Sequence, residues 1–251
     1  FNVIANDLMT YSYHHAVTGL KLYKRPEFSG ASKFIEKHYQ PDNVETPTPD
    51  AYEKIIYSIS QAEPVQGYFW KEFSQAGKPS NTDKPRNYFS ADNAKQIDGY
   101  RKVILNLRHT QQISDIEFSV LQHDLLMAAN DVANIAGTYG HYMAKLSGRA
   151  KDKISLRTSD LFLKRDTSKH KVYQGYAEEI SSLIKCDLCY IDPPYMKRQY
   201  AANYHILETL ARGDNPDAIG VSGLRPWRDQ YSNFCTKTKI RDSFREIFNN
   251  M

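Results

Sequence analysis

The sequence predicts an α/β fold carrying an inserted, mainly helical subdomain, and three observations lead to that expectation. A short apolar run, Leu188-Cys189-Tyr190-Ile191, has the length and bounding of a fully buried parallel strand, and it ends at Asp192-Pro193-Pro194-Tyr195. A helical stretch over 175–184 leads into it and completes a β-α-β unit. Between the β-like opening Phe1-Asn2-Val3-Ile4-Ala5 and the next strand-like run, Ile154-Ser155-Leu156-Arg157, the apolar spacing is that of helices.

Taken in order, Asn6 and Asp7 end the first run, and both residue types are favoured N-caps for the helix expected over 8–20. Residues 21–61 are polar and broken by Pro26, Pro41, Pro47 and Pro49 before a short helix over 51–61 with Tyr52, Ile55, Ile56 and Ile59 on one face. Residues 75–87 read as a long exposed loop. Ser90 caps a helix over 91–107 with Ile97, Tyr100, Val103, Ile104 and Leu107 in period. The capping box Ser114-x-x-Glu117 opens a second, which runs towards Ile135 and buries Phe118, Leu121, Leu125, Ala128 and Val132. Residues 203–212 are helical, with Tyr204, Leu207, Leu210 and Ala211 as the buried set and His205 in packing or a hydrogen bond. A Gly-, Pro- and Arg-containing loop over 213–233 follows, then a basic amphipathic helix.

A chain of 251 residues with 41% hydrophobic content can build one good core, or one core and an inserted subdomain. The net charge of +4 permits a polyanionic partner without requiring one. The three cysteines, Cys186, Cys189 and Cys235, make no disulfide framework, and neither a signal peptide nor a membrane span is recognised, so a reducing cytoplasm is the expected compartment. Cys186 and Cys189 form a Cys-x-x-Cys without a second pair, which favours strand residues over zinc ligands. No internal repeat is present.

The chemistry concentrates at Asp192-Pro193-Pro194-Tyr195. At the carboxyl end of a strand, where open α/β sheets bind ligands, two prolines force a stiff, extended exit. Asp192 supplies a carboxylate acceptor, the Pro193 carbonyl a second acceptor, and Tyr195 a flat aromatic face. Two converging acceptors beside a stacking surface suit the exocyclic amino group of a planar base. The plainer alternative is a polar strand-to-loop turn.

The segment 189–195, with Arg198-Gln199-Tyr200 and Asn203-Tyr204-His205 after it, resembles the catalytic motif of the Dam-like DNA adenine methylases, the N6-adenine methyltransferases that use S-adenosylmethionine. The resemblance implies a Rossmann-like methyltransferase sheet formed by residues 1–20 and 150–251, interrupted by a helical DNA-recognition insertion over 21–149. It also implies site residues. Asp192, Pro193, Pro194 and Tyr195 would be catalytic. Asn6 and Asp7 would hold the ribose hydroxyls of the cofactor, and Asp160, with Leu161 beside it, its adenine amino group. Asp7, Asp160 and Asp192 would then cluster at one sheet edge. No metal is required.

Arg86-Asn87-Tyr88-Phe89-Ser90 and Ala136-Gly137-Thr138-Tyr139-Gly140 resemble recurrent phrases of the family's recognition region, which makes Arg86, Thr138, Tyr139, His141 and Lys145 candidates for contact with double-stranded DNA. Residues 145–171 hold nine Lys or Arg against three Asp, the local excess expected of phosphate contact or of a solvated face. Lys197, Arg198 and Tyr200 are candidates for holding a phosphate beside the displaced nucleotide. None of the twelve glycines forms the family's glycine-rich cofactor turn, so a fragment is expected, its turn lying on a missing segment or a partner chain. Three rival readings remain: cytosine N4 or RNA adenine methylation, a degenerate methylase that binds DNA without modifying it, and one part of a split enzyme.

Overall fold

The computed structural model describes residues 1–41, 47–161, 166–194 and 197–251. Strand β1 is Ile4–Asp7, and helix α1, Thr10–Lys21, follows it directly. Seven residues of α2, Ser32–His38, lead to α3, Ala51–Ser60, α4, Tyr68–Phe73, and the two long helices α5, Ala91–His109, and α6, Asp115–Asp131. After a one-turn α7, Gly148–Lys151, comes β2, Lys171–Gln174. The chain finishes with α8, Ala177–Ser181, α9, Tyr200–Asn203, α10, His205–Arg212, and α11, Ile240–Asn250.

Among the described residues the sheet has two strands, β1 and β2, paired in parallel from Ile4 opposite Lys171 to Asp7 opposite Gln174. The pairing extends past both ends: Lys171 N–H donates to Val3 O at 2.9 Å, and Gly175 N–H to Asp7 O at 3.1 Å. Parallel strands require a long crossover, and here the crossover is most of the helical chain.

The helix starts form where the sequence places their caps. Ser90 Oγ accepts from Asn93 N–H at 3.2 Å, and the Ser114–Glu117 capping box is closed in both directions. A second box, Asp50 with Glu53, opens α3. The apolar stripes are buried as spaced: Tyr52, Ile55, Ile56 and Ile59 on α3, Ile97, Tyr100, Ile104 and Leu107 on α5, Leu121, Leu125 and Ala128 on α6. Ile206, Leu207, Leu210 and Ala211 of α10 belong to the same apolar cluster, so the helical region and the helix after Asp192-Pro193-Pro194 share one core. None of the described helices is long and apolar enough to cross a membrane.

Two expected strands are corrected. Residues 154–157 form no ladder; Ile154 and Leu156 are buried in the helical core instead. Residues 188–191 likewise form no ladder, and Leu188 and Tyr190 are 88% and 86% exposed rather than buried. The strand that does pair is Lys171–Gln174, whose two half-buried residues, Val172 and Tyr173, are too short an apolar signal to stand out. The structure is thus a mixed α/β fold with a small parallel sheet and many helices.

One buried titrating group ties the core to the chain beyond it. Tyr52 Oη donates to Asp124 Oδ2 at 2.6 Å and accepts from Ser159 N–H at 3.0 Å. Burial pushes the Asp124 carboxyl up to about 8, against the Tyr52 hydrogen bond and the Arg25 charge, which favour the anion. An unfolded aspartate ionises near pH 3.9, so between these values the folded chain holds the extra proton and stability falls as pH rises, by up to about 1.4 kcal/mol per unit. Urea unfolding of Asp124→Asn between about pH 5 and about pH 8 is expected to lose that slope. An unchanged slope would place the titration elsewhere.

Candidate active site

β1 and β2 end side by side, and their ends wall a cleft of about 260 Å³. Asn6, Asp7, Leu8 and Met9 line it from β1 onward, and residues 175–178 from the end of β2. Asp192, Pro193 and Pro194 line the same cleft, as do Gln199, Tyr200 and Gln230. Folding therefore brings the two carboxylates singled out at opposite ends of the sequence, Asp7 and Asp192, into one cavity.

Each wall is fixed by hydrogen bonds. Asn6 Nδ2 donates to Gly175 O at 3.2 Å, holding the two strand ends together. The Asp7 carboxylate accepts from Met9 N–H at 2.8 Å, so Asp7 serves the start of α1 as well as the cleft. Although Asp7 is open to solvent at its edge, desolvation by the surrounding walls raises its carboxyl above the ordinary value, while the bonds from Met9, Ser12 and Leu8 oppose the shift and the Glu208 charge adds to it. Gln199 and Ser232 close a two-bond pair, Nε2 to O at 3.0 Å and N–H to Oε1 at 2.8 Å. The Cys235 thiol, raised by burial and so kept as S–H, lies 3.8 Å from Pro194 O and 3.6 Å from Arg198 O.

The acceptors and the apolar wall of the cleft fit a nucleoside. The acceptors are the Asp7 and Asp192 carboxylates and the Pro193 carbonyl; Glu178 and Gln230 also line the cleft, but their Oε1 atoms are buried and find no hydrogen-bond partner among the described residues. Ile4, Ile180 and Ile184 supply the apolar wall. Hydroxyls and an exocyclic amine against apolar surface would satisfy both.

Other expected site residues lie elsewhere. The Asp160 side chain is 89% exposed and pairs with Arg25 at 3.3 Å, and Leu161 is exposed; neither lines the cleft, so the expected three-aspartate cluster reduces to two. Tyr195 lies outside the described residues. Arg86 is wholly buried, pairs with Glu72 Oε2 at 2.7 Å and donates to the carbonyls of Ala218, Gly220 and Val221 at 3.2, 3.0 and 3.2 Å, so it holds loops together instead of reaching a phosphate. Tyr139 is buried too, and its hydroxyl donates to Asn130 Oδ1 at 3.1 Å. Thr138 is half-buried, whereas His141, Lys145, Lys197, Arg198 and Tyr200 are exposed.

The family model for the D12 class N6 adenine-specific DNA methyltransferases matches residues 2–251. The chain belongs to that family. It is 38% identical over 165 residues to the type II methyltransferase M.FokI of Planomicrobium okeanokoites, covering 64% of this chain and 25% of the relative. It is 29% identical over 252 residues to the modification methylase StsI of Streptococcus sanguinis, covering 100% and 35%. With the type II methyltransferase M.NlaIII of Neisseria lactamica it shares 31% identity over 194 residues, 77% of this chain and 55% of the relative. The chain thus spans from a quarter to about half of these relatives. No solved structure matches it.

In this D12-family chain the sequence left Gly175, Tyr176, Glu178 and Gln230 unmarked as cleft residues. The signal for the first three was Lys171-Val172-Tyr173-Gln174-Gly175, a short strand ending in glycine; nothing in the sequence marked Gln230. Arg86→Met is expected to destabilise the fold by about 3 kcal/mol, because it removes the buried guanidinium that neutralises Glu72 and leaves that carboxylate only Ser80 and the more distant Lys71. The same variant should leave the salt slope of DNA binding unchanged once folded. Urea unfolding and a salt titration read the two effects separately.

Proposed function

We propose that this D12 methyltransferase transfers a methyl group from S-adenosylmethionine to the N6 nitrogen of adenine in a specific sequence of double-stranded DNA, as the modification half of a restriction-modification system. The observation that carries the proposal is the shared cleft: the ribose-type acceptor at the end of β1, Asp7, opens on the same cavity as Asp192 and Pro193. S-adenosylmethionine, when bound, supplies an electrophilic methyl group. Asn6 and Asp7 would hold its ribose hydroxyls.

An adenine stacked in a duplex cannot enter a cleft at strand ends, so the base is extruded first. Asp192 then accepts one N6 hydrogen and the Pro193 carbonyl the other, which aims the nitrogen lone pair at the methyl group. Alignment of two bound reactants supplies much of the rate in such a displacement. The proton lost when N6 gains carbon passes towards the Asp192 carboxylate, the ionisable acceptor of the pair. Exposed Lys145, Lys197 and Arg198, with His141 and Tyr200, hold the phosphates that flank the site and set affinity and register.

Transfer of labelled methyl to duplex DNA tests this reading. Asp192→Ala should lower the rate by about 10²–10³-fold or more while binding DNA with the same salt dependence. Label found anywhere other than adenine N6, or transfer undiminished in Asp192→Ala, would overturn it. Asp7→Ala should instead raise KM for S-adenosylmethionine. Because the Asp7 carboxyl titrates above its ordinary 3.8, that KM should climb as pH falls towards the raised value, and the climb should vanish in Asp7→Asn.

A further inference from the structure

Residues 218–224 form a turn whose construction is out of proportion to its exposure. Ile219 and Val221 stand 54% and 73% exposed at its tip. Behind them the turn is closed by two backbone bonds of 2.8 Å between Ile219 and Leu224, and Gly220 and Gly223 both take φ of +69°. Those angles suit glycine, and a Cβ at Gly223 would come within 2.8 Å of the Phe73 ring and 2.9 Å of Arg86. The buried Arg86 guanidinium donates to the carbonyls of Ala218, Gly220 and Val221, and the buried Tyr88 hydroxyl lies 3.1 Å from Ser222 O. A buried arginine, an aromatic hydroxyl and two left-handed backbone positions that suit glycine therefore fix two aliphatic side chains out in solvent.

The turn also adjoins the face that the proposed function assigns to DNA. Ser222 Oγ donates to Gly140 O at 2.7 Å and lies 3.4 Å from His141 Nδ1. One residue before Gly140, Tyr139 N–H donates to Asn203 O at 2.8 Å, and Asn203 ends the helix that Tyr200 opens at the cleft. The path from cleft to turn is continuous: Tyr200, Asn203, residues 138–141, Ser222, Val221. Exposed His141 stands on it, and exposed Lys145 follows four residues along the chain.

We propose that this turn inserts into duplex DNA beside the target adenine, with Val221 and Ile219 filling the space that the extruded base leaves. The proposal rests on the reading of the chain as a base-extruding adenine methyltransferase. Rigid apolar side chains wedged between base steps are a known way to hold a duplex open, and a wedge must be braced from behind because unstacking pushes back on it. Arg86 and Tyr88 are that brace.

The test uses the full-length protein and a duplex carrying its methylated sequence, mapped by sequencing plasmid DNA from cells that express it, with 2-aminopurine at the target adenine. The double variant Ile219→Ser with Val221→Ser should lose about tenfold in both fluorescence rise and methylation rate of the ordinary duplex. Its melting should match the unsubstituted protein, since both side chains are exposed. Removing the base opposite the target lowers the cost of extrusion, so such a duplex should restore the variant to within about threefold, and Val221→Leu should behave as the unsubstituted protein. A double variant that extrudes and methylates normally would overturn the proposal, as would an equal loss on both duplexes, which would make the turn a general binding or protein-contact surface. An unsubstituted protein that transfers no methyl to any duplex would overturn the proposed function itself and the wedge with it.

Discussion

Glu208 is wholly buried in α10, yet it accepts four hydrogen bonds, and the geometry of the cleft depends on them. Its Oε2 takes the N–H groups of Thr10 and Tyr11 at 2.8 and 3.2 Å, two of the donors that the start of a helix leaves unpaired. Its Oε1 takes Arg212 Nε at 2.8 Å and Gln230 Nε2 at 2.7 Å. Asp7 caps the preceding N–H, that of Met9, so two carboxylates share the start of α1, one facing the core and one facing the cleft. Negative charge there is favoured by the helix dipole, and Arg212 offsets the burial of Glu208. Through this one residue the helix that follows Asp192-Pro193-Pro194 sets the position of Asp7.

A second buried network does the same for the face beside the cleft. Tyr88 Oη donates to Tyr139 O at 2.8 Å, and the same carbonyl accepts from His205 Nε2 at 3.0 Å. Burial lowers the His205 pKa to about 3, so the ring is neutral at working pH, and its Nε2 is the nitrogen that donates to the Tyr139 carbonyl. Arg86, Tyr88 and Tyr139 look inward and hold segments whose neighbours His141 and Val221 are exposed. The residues that anchor these segments and those left exposed alternate along the chain, and their types alone do not tell them apart.

Family membership and cleft geometry bear on different questions. The match over residues 2–251 assigns the chain to the D12 class, whereas the side-chain positions decide which residues face the cavity. The expectation from motif resemblance and the cleft geometry differ at Asp160. That aspartate follows a strand-like run, but its run packs into the helical core and the carboxylate meets Arg25, while the end of β2 delivers residues 175–178 to the place beside Asp7.

By itself the sequence determined what local rules govern: the start of each long helix through Ser90 and Ser114, the apolar stripes of α3, α5 and α6, the first strand, and the Asp192-Pro193-Pro194 motif whose residue types carry their chemistry with them. Helix periodicity and capping are written within a few residues, so they survive without knowledge of the rest of the chain. Only the tertiary structure decided that Lys171–Gln174 pairs with β1, that Arg86 and Tyr139 are buried, and that Gln230 reaches the cleft. Strand pairing and burial depend on partners more than a hundred residues away, as between Asn6 and Gly175 with a separation of 169. A four-residue strand carries too little pattern to announce such a partner, because its stability comes from the ladder it joins.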